Sequence, residues 1–211
     1  MARRPASARA SSFAVRSPRL SRWPSRRSSI ATVIVLNGVS SAGKTTLARA
    51  VQRRARRVLL HVPLDGFLAM LPPPDAACDP AMTFRPLPSG DPPETEVVMH
   101  DSGKRLIAGM HAAIAALADA GNDLIVDDVY WEDEEASYRR HLADHDFYFI
   151  ALHVPLAAAE ERERNRGDRD LGLARWQFPR VHAGCRYDLE LDSTTKSPGS
   201  LAKTICERFS L

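Results

Sequence analysis

The chain has 211 residues, 44% hydrophobic and 26% charged, which suffices for one domain with a sizeable core and falls short of two large ones. Its formal net charge of +3 is uneven: residues 1–31 hold eight Arg and eight Ser with no Asp, Glu or Lys, so 32–211 set 21 basic residues against 26 acidic ones and carry −5. A globally basic nucleic-acid-binding domain thereby loses its compositional support, and no run of about 18 apolar residues is present to span a membrane.

The 1–31 segment has no apolar stretch of the kind a secretory signal needs. Its composition fits an organellar transit peptide or the translation of a GC-rich region upstream of the true start, and the use of Arg for 25 of the 29 basic residues favours the second. Too polar to bury a core of its own, it is read as a disordered extension on a folded domain at 32–211, with a cytoplasmic location expected. Cys78, Cys185 and Cys206 are odd in number, widely spaced and without a CxxC pair, which argues against a disulfide framework or a structural zinc site.

Residues 32–37 (TVIVLN) are β-branched and apolar and end at Gly38, and a helical pattern follows over 45–57. Residues 58–62 predict a second short strand and 67–71 a helical turn, stopped by the prolines at 72–74. Eight of the fifteen prolines fall within 72–93, which reads as an irregular excursion lining a binding site. Regularity returns with a small-residue helix over 104–120, a strand at 123–126 leading into Asp127 and Asp128, and a polar helix over 132–143. A strand apolar on both faces follows at 147–154, then helices at 156–166 and 174–183, a last strand at 187–191 and a closing helix at 200–209. Strands alternating with helices predict an α/β domain whose parallel sheet is covered on both faces.

The strongest signal is Gly38, Val39, Ser40, Ser41, Ala42, Gly43, Lys44 and Thr45, which satisfies GxxxxGK[ST] at every fixed position, with Thr46 next in line. Between a strand and a helix, such a loop aims backbone N–H groups and the positive end of the helix dipole at one point, the requirement for holding phosphate. Lys44 can then reach the β- and γ-phosphates of a nucleotide, and the Thr45 hydroxyl can ligate Mg²⁺. A carboxylate at the carboxyl edge of the sheet should complete the metal site, and either Asp127 or Asp128 can supply it.

Asp65 follows the second strand and so lies on the same edge of the sheet. There it could take the proton of an acceptor hydroxyl, or cap a short helix starting at Gly66. Arg162, Arg166 and Arg169 recur at i, i+4 and i+7, one face of a continuing helix, where like charges repel unless something anionic lies opposite. An arginine-bearing lid over nucleotide phosphates would account for them, with Gly167 as hinge or cap. The alternative is a solvated helix end neutralised by Glu161, Glu163, Asp168 and Asp170. Arg164 is set apart by Glu160, four residues earlier. Phe67, Met70, Leu71, Phe84, Tyr130 and Trp131 are candidate walls for an apolar acceptor, and residues 192–195 candidate neighbours of the adenine.

Taken together these segments resemble the chloramphenicol phosphotransferase family, small P-loop kinases akin to shikimate and nucleoside-monophosphate kinases. The likeness covers about 33–209 and rests on IVLNGVSSAGKTTL, with its paired serines, on PLDGFLAMLP around Asp65, and on LIVDDVYW, ERERNRGDRDLGLA and VHAGCRYDLELDSTT in the same order. Departures are Pro63 before the Asp65 region, Gly66 after it and the proline-rich 72–93.

The resemblance implies a three-layer P-loop fold with a parallel five-stranded sheet and an arginine lid. It also implies Mg·ATP-dependent transfer to a small hydroxyl-bearing molecule, chloramphenicol in the named case, with Asp65 as the base. Other readings are a kinase for a nucleotide, sugar or nucleotide-sugar, as in zeta-type toxins, which would use Arg85, Arg105, Arg139 or Arg140, and a non-catalytic nucleotide switch. Neither a membrane nor a nucleic acid is an expected partner.

Overall fold

The computed structural model describes residues 30–211 apart from 74, 89, 90, 92, 131–133, 168 and 169, together with the side chain of Glu134. Trp131 and Arg169 thus lie outside the described residues, as does the arginine-serine segment up to residue 29.

The first strand, β1 (Thr32–Asn37), is buried along its whole length and occupies the middle of a five-stranded parallel sheet. Helix α1 (Lys44–Arg54) returns the chain to β2 (Leu59–Pro63) at one edge of the sheet, and α2 (Leu64–Leu68) follows directly. The sheet continues with β5 (Asp123–Asp128), β6 (Asp146–His153) and β7 (Leu189–Asp192), giving the spatial order β2-β5-β1-β6-β7. Strands β1 and β6 pair in register from Thr32 with Asp146 to Asn37 with Ala151. Ala31, counted with the tail on composition, is buried, and its carbonyl accepts the Asp146 N–H at 2.9 Å.

Two apolar layers sandwich this sheet. On one side Leu47, Ala48 and Val51 of α1 meet Leu201, Ala202 and Ile205 of α7 (Pro198–Arg208), together with Ile34, Leu36 and Ile125. On the other, Met110, Ile114 and Ala118, spaced one helical turn apart on α3 (Asp101–Asp119), pack on Val33, Val35, Leu124 and Val126. Strand residues alternate between the layers, so every side chain at the sheet's carboxyl edge is assigned to one face by its parity. Helices α4 (Glu134–His141), α5 (Leu156–Arg166) and α6 (Leu173–Gln177) complete the chain.

Two expectations need correction. The proline-rich excursion is not irregular throughout: β3 (Met82–Leu87) pairs antiparallel with β4 (Glu94–Met99) as a separate two-stranded sheet. Pro86 is tolerated because a strand with a single partner leaves one edge free of ladder bonds. The helix expected at 174–183 is only one turn of α-helix at α6 before a run of turns begins, with Pro179 in that run. Helix α5 ends at Arg166, with Gly167 as its left-handed cap at φ 66°, and the expected continuation of the arginine face to Arg169 lies outside the described residues.

Candidate active site

The loop after β1 must pass very close to β6. A Cβ on residue 38 would sit 2.6 Å from the Leu152 carbonyl oxygen, so only glycine fits there. Ser41 holds φ at 62°, uncommon for a side-chain-bearing residue, and Gly43 at 97°, which turns successive N–H groups inward ahead of α1. The Ser41 hydroxyl oxygen is buried without a hydrogen-bond partner among the described residues, an orphan that a phosphate oxygen would satisfy.

Ser40 to Thr46 line a cleft of about 760 Å³ that also takes in Asp65, Asp127, Asp128, Arg162 and Arg166. Gly38 and Val39 are not among its walls: Val39 is buried in the core, and the two carbonyls accept hydrogen bonds from Lys44 Nζ at 2.7 and 2.9 Å. The Ser40 N–H donates to Gln177 Oε1 at 2.6 Å, which ties the phosphate loop to α6.

The two carboxylates of β5 part company by parity. Asp127 shares the face of Ile125, toward α1 and Thr45, while Asp128 shares the face of Val126, toward α3 and α4. Asp128 is fully engaged: Tyr138 Oη donates to Oδ2 at 2.7 Å and the Val129 N–H to Oδ1 at 2.8 Å. Burial pushes its carboxyl pKa up, and the Tyr138 hydrogen bond pulls it part of the way back. Asp127 Oδ2 instead accepts a hydrogen bond from His61 Nε2 at 2.8 Å, and Oδ1 accepts none from any described residue. The Thr45 hydroxyl and the Asp127 carboxylate, on walls of one cleft, are hard oxygen donors of the kind Mg²⁺ takes alongside phosphate oxygens and water.

Asp65 sits in the first turn of α2, where Pro63 is the cap residue, so it is not the helix cap. Its carboxylate lies where two cavities meet. It lines the large cleft and also a narrow apolar slot of about 60 Å³ walled by Leu68, Met82, Phe84, Val97, Met99 and Ile107. Of the expected acceptor walls among the described residues, only Phe84 lines this slot. Phe67 packs against the core, Met70 is exposed, Leu71 is not among the lining residues, and Tyr130 is buried edge-on to Phe149 with centroids 5.1 Å apart. Met82, Val97 and Met99 of the hairpin are not foreshadowed in the sequence, because the prolines hide the strands; the β-forming runs MTFRPL and ETEVVM are the available signal.

The lid arginines divide as well. Arg162 donates to the Ala42 and Ser193 carbonyls at 3.2 and 2.9 Å, clamping the phosphate loop to the turn after β7. Ser193, Lys196 and Pro198 line the cleft beside it, so of residues 192–195 only Ser193 faces the nucleotide space. Arg166 is exposed at the cleft mouth.

Glu163 does not serve to neutralise the arginines. Its buried carboxylate accepts the Gly172 and Ala174 N–H groups, each at 2.9 Å, capping α6. Glu160 pairs with Arg175 at 2.6 Å rather than with Arg164. Beyond the lid, Thr95 of β4 donates its hydroxyl to the Leu171 carbonyl at 2.7 Å and its N–H to the Gly172 carbonyl at 3.1 Å. A Cβ at residue 172 would stand 2.1 Å from the Pro93 carbonyl oxygen, and φ there is +88°. The β3–β4 hairpin and the turn ahead of α6 are therefore stitched together.

Among the described residues no group of three His, Cys, Asp or Glu could hold a metal, and no helix is long and apolar enough to cross a membrane.

Comparison with known proteins agrees with this arrangement. A Mycobacterium tuberculosis protein, represented in strains H37Rv and CDC 1551 and named as a proposed O-phosphotransferase, is 35% identical over 185 residues, covering 84% of this chain and 81% of the relative. Among solved structures, the APS kinase of M. tuberculosis in complex with AMPPNP and APS superposes with a TM-score of 0.58 at 17% identity, over 86% of this chain and 99% of that one. The tunicamycin resistance protein of Deinococcus radiodurans gives 0.56 at 17% identity, over 86% and 96%. Shikimate kinase of Acinetobacter baumannii gives 0.53 at 12%, over 85% and 95%. The model of the chloramphenicol phosphotransferase-like proteins matches residues 31–210. The chain therefore belongs to the chloramphenicol phosphotransferase-like family, and is a P-loop phosphotransferase of the kinase type.

Proposed function

We propose that the enzyme transfers the γ-phosphoryl group of ATP to a hydroxyl of an uncharged, largely apolar small molecule, with chloramphenicol-like alcohols as the named class. The observation that carries this reading is the position of Asp65 at the junction of the phosphate cleft and the apolar slot. A hydroxyl presented from the slot can give its proton to the Asp65 carboxylate as its oxygen bonds to the γ-phosphorus. The bridging bond to the β-phosphate breaks and ADP leaves. Lys44 and Arg166 face the developing charge, and Arg162 holds the loop that carries the phosphates. Thr45 and Asp127 would hold Mg²⁺, which supplies charge neutralisation across the phosphates. Asp128, drawn toward Tyr138, supports the end of β5.

The four arginines that a charged acceptor was expected to use do not border the site. Arg85 pairs with Glu96 on the exposed hairpin and Arg139 with Glu135 at 2.7 Å, and neither these nor Arg105 and Arg140 line the cleft or the slot. The catalytic domain is taken as 31–211, one residue longer than composition placed it because Ala31 is built into the sheet, and the preceding residues 1–30 as a dispensable extension. An ADP-release screen with Mg·ATP against chloramphenicol, other hydroxyl antibiotics, nucleosides, nucleotides, sugars and sugar phosphates tests the proposal. Turnover confined to uncharged apolar alcohols is the expected result. Turnover confined to phosphorylated acceptors would overturn the acceptor class, and none with any compound would favour the nucleotide switch.

A further inference from the structure

The histidine beside Asp127 has no part in the chemistry above, yet it occupies a wall of the same cleft. In the β2–β5 register Pro63 stands beside Asp127, which places His61 one pleat earlier on the same face of the sheet. From there its ring reaches the carboxylate: Nε2 and Oδ2 are 2.8 Å apart, with the side chains 13% and 7% exposed. Because an ionised carboxylate can only accept, the ring proton on this side belongs to Nε2. The pair spans the two strands whose carboxyl ends border Asp65 and the phosphate loop.

We propose that His61 is the positioning residue for the metal-organising carboxylate, fixing Asp127 through Oδ2 so that Oδ1 is turned to the cation's hydration shell. The inference rests on the assignment of Asp127, rather than Asp128, as the metal carboxylate. Three features of the site meet in it. Asp127 faces the α1 layer where Thr45 stands. One of its oxygens is committed to His61, and the other takes no hydrogen bond from a described residue. Asp128 has both oxygens engaged by Tyr138 and Val129. A partly buried carboxylate without the histidine would be free to rotate and would meet the cation in several orientations. Loss of such an outer partner weakens metal binding by about 10–100-fold in well-studied sites.

The test uses the full chain and reads binding instead of turnover. AMPPNP affinity is measured by calorimetry across a series of free Mg²⁺ concentrations, giving the concentration at which Mg²⁺ half-maximally strengthens nucleotide binding. His61→Phe keeps the ring and removes the donor. It should raise that concentration by about tenfold while leaving metal-free nucleotide affinity unchanged. His61→Gln, whose amide can donate from nearly the same place, should recover most of the difference. An unaltered Mg²⁺ dependence in His61→Phe would overturn the proposal. So would equal loss of metal-free binding in both variants, which would make His61 a prop of the cleft. Asp127→Asn, measured alongside, separates the two levels of the argument. If it too leaves the Mg²⁺ dependence untouched, the assignment of Asp127 has failed; if it abolishes that dependence while His61→Phe does nothing, only the histidine's role has.

Discussion

The two halves of the active site are built by opposite means. The nucleotide half is a contiguous loop, residues 38–46, whose polar groups and left-handed turns are set within nine positions, and it opens onto a cleft of about 760 Å³. The proposed acceptor half is a slot of about 60 Å³ assembled from α2, the β3–β4 hairpin, α3 and α6, almost wholly apolar, with Asp65 and Asp128 among its lining residues. Phosphate recognition needs many donors converging on one point, which a short segment can provide. Recognition of an apolar body needs walls on several sides, which only distant segments can provide. One half can therefore stay constant while the other is rebuilt for a new acceptor.

Substitutions should strike the halves separately. The largest effect is expected at Lys44, where Lys44→Ala should lower kcat by about 10²–10³-fold for every acceptor alike. Phosphoryl transfer measured with two different acceptors checks this, since unequal losses would mean that the lysine also reads the acceptor. Next, Phe84→Asp would put a charge into the slot and should lower kcat/KM for an apolar alcohol by about 10–100-fold. Nucleotide affinity measured by calorimetry should stay at the wild-type value, which distinguishes a local effect from a general one.

Gly172→Ala lies at the seam between the halves. Its Cβ would meet the Pro93 carbonyl at a φ that side chains resist, so a loss of about 1–3 kcal/mol in urea unfolding is expected, with KM for the acceptor rising more than KM for ATP.

An effect of similar size involves neither half. His111 and His182 are both held neutral, mainly by burial, with pKa values lowered from 6.5 to about 4. Above pH 6.5 each is neutral whether folded or unfolded, so stability is unaffected there. Between 6.5 and 4 the unfolded chain binds protons that the native one refuses, and stability falls with pH. His111 is buried and His182 half-buried, and the combined loss by pH 4.5 should be about 1–3 kcal/mol. Thermal melts from pH 7.5 to 4.5 would show it, with a shallower slope in His182→Asn.

The same contrast governs what the sequence disclosed. Short-range patterns carried β1, the phosphate loop, the aspartates closing β5 and the doubly buried β6, because each depends on neighbours within a few residues. The i, i+4 spacing placed Arg162 and Arg166 on one helix face, but the left-handed Gly167 ended that helix, and Arg162 found its partners in Ala42 and Ser193. What stayed hidden depends on separation along the chain: Ser40 with Gln177, 137 residues apart, Thr95 with Leu171, 76 apart, and His61 with Asp127, 66 apart. No local period reports such pairs. The hairpin was obscured for another reason, since proline density is a signal of irregularity that a two-stranded sheet with open edges can absorb.

The central claim is that Asp65 joins the halves by taking the proton of the acceptor hydroxyl. The most direct measurement is single-turnover transfer of labelled γ-phosphate from Mg·ATP to the best acceptor of the screen, wild type against Asp65→Asn. The account predicts a phosphorylated alcohol formed about 10²–10⁴-fold more slowly in the variant, with ATP affinity unchanged. Equal rates of transfer in the two proteins would contradict it.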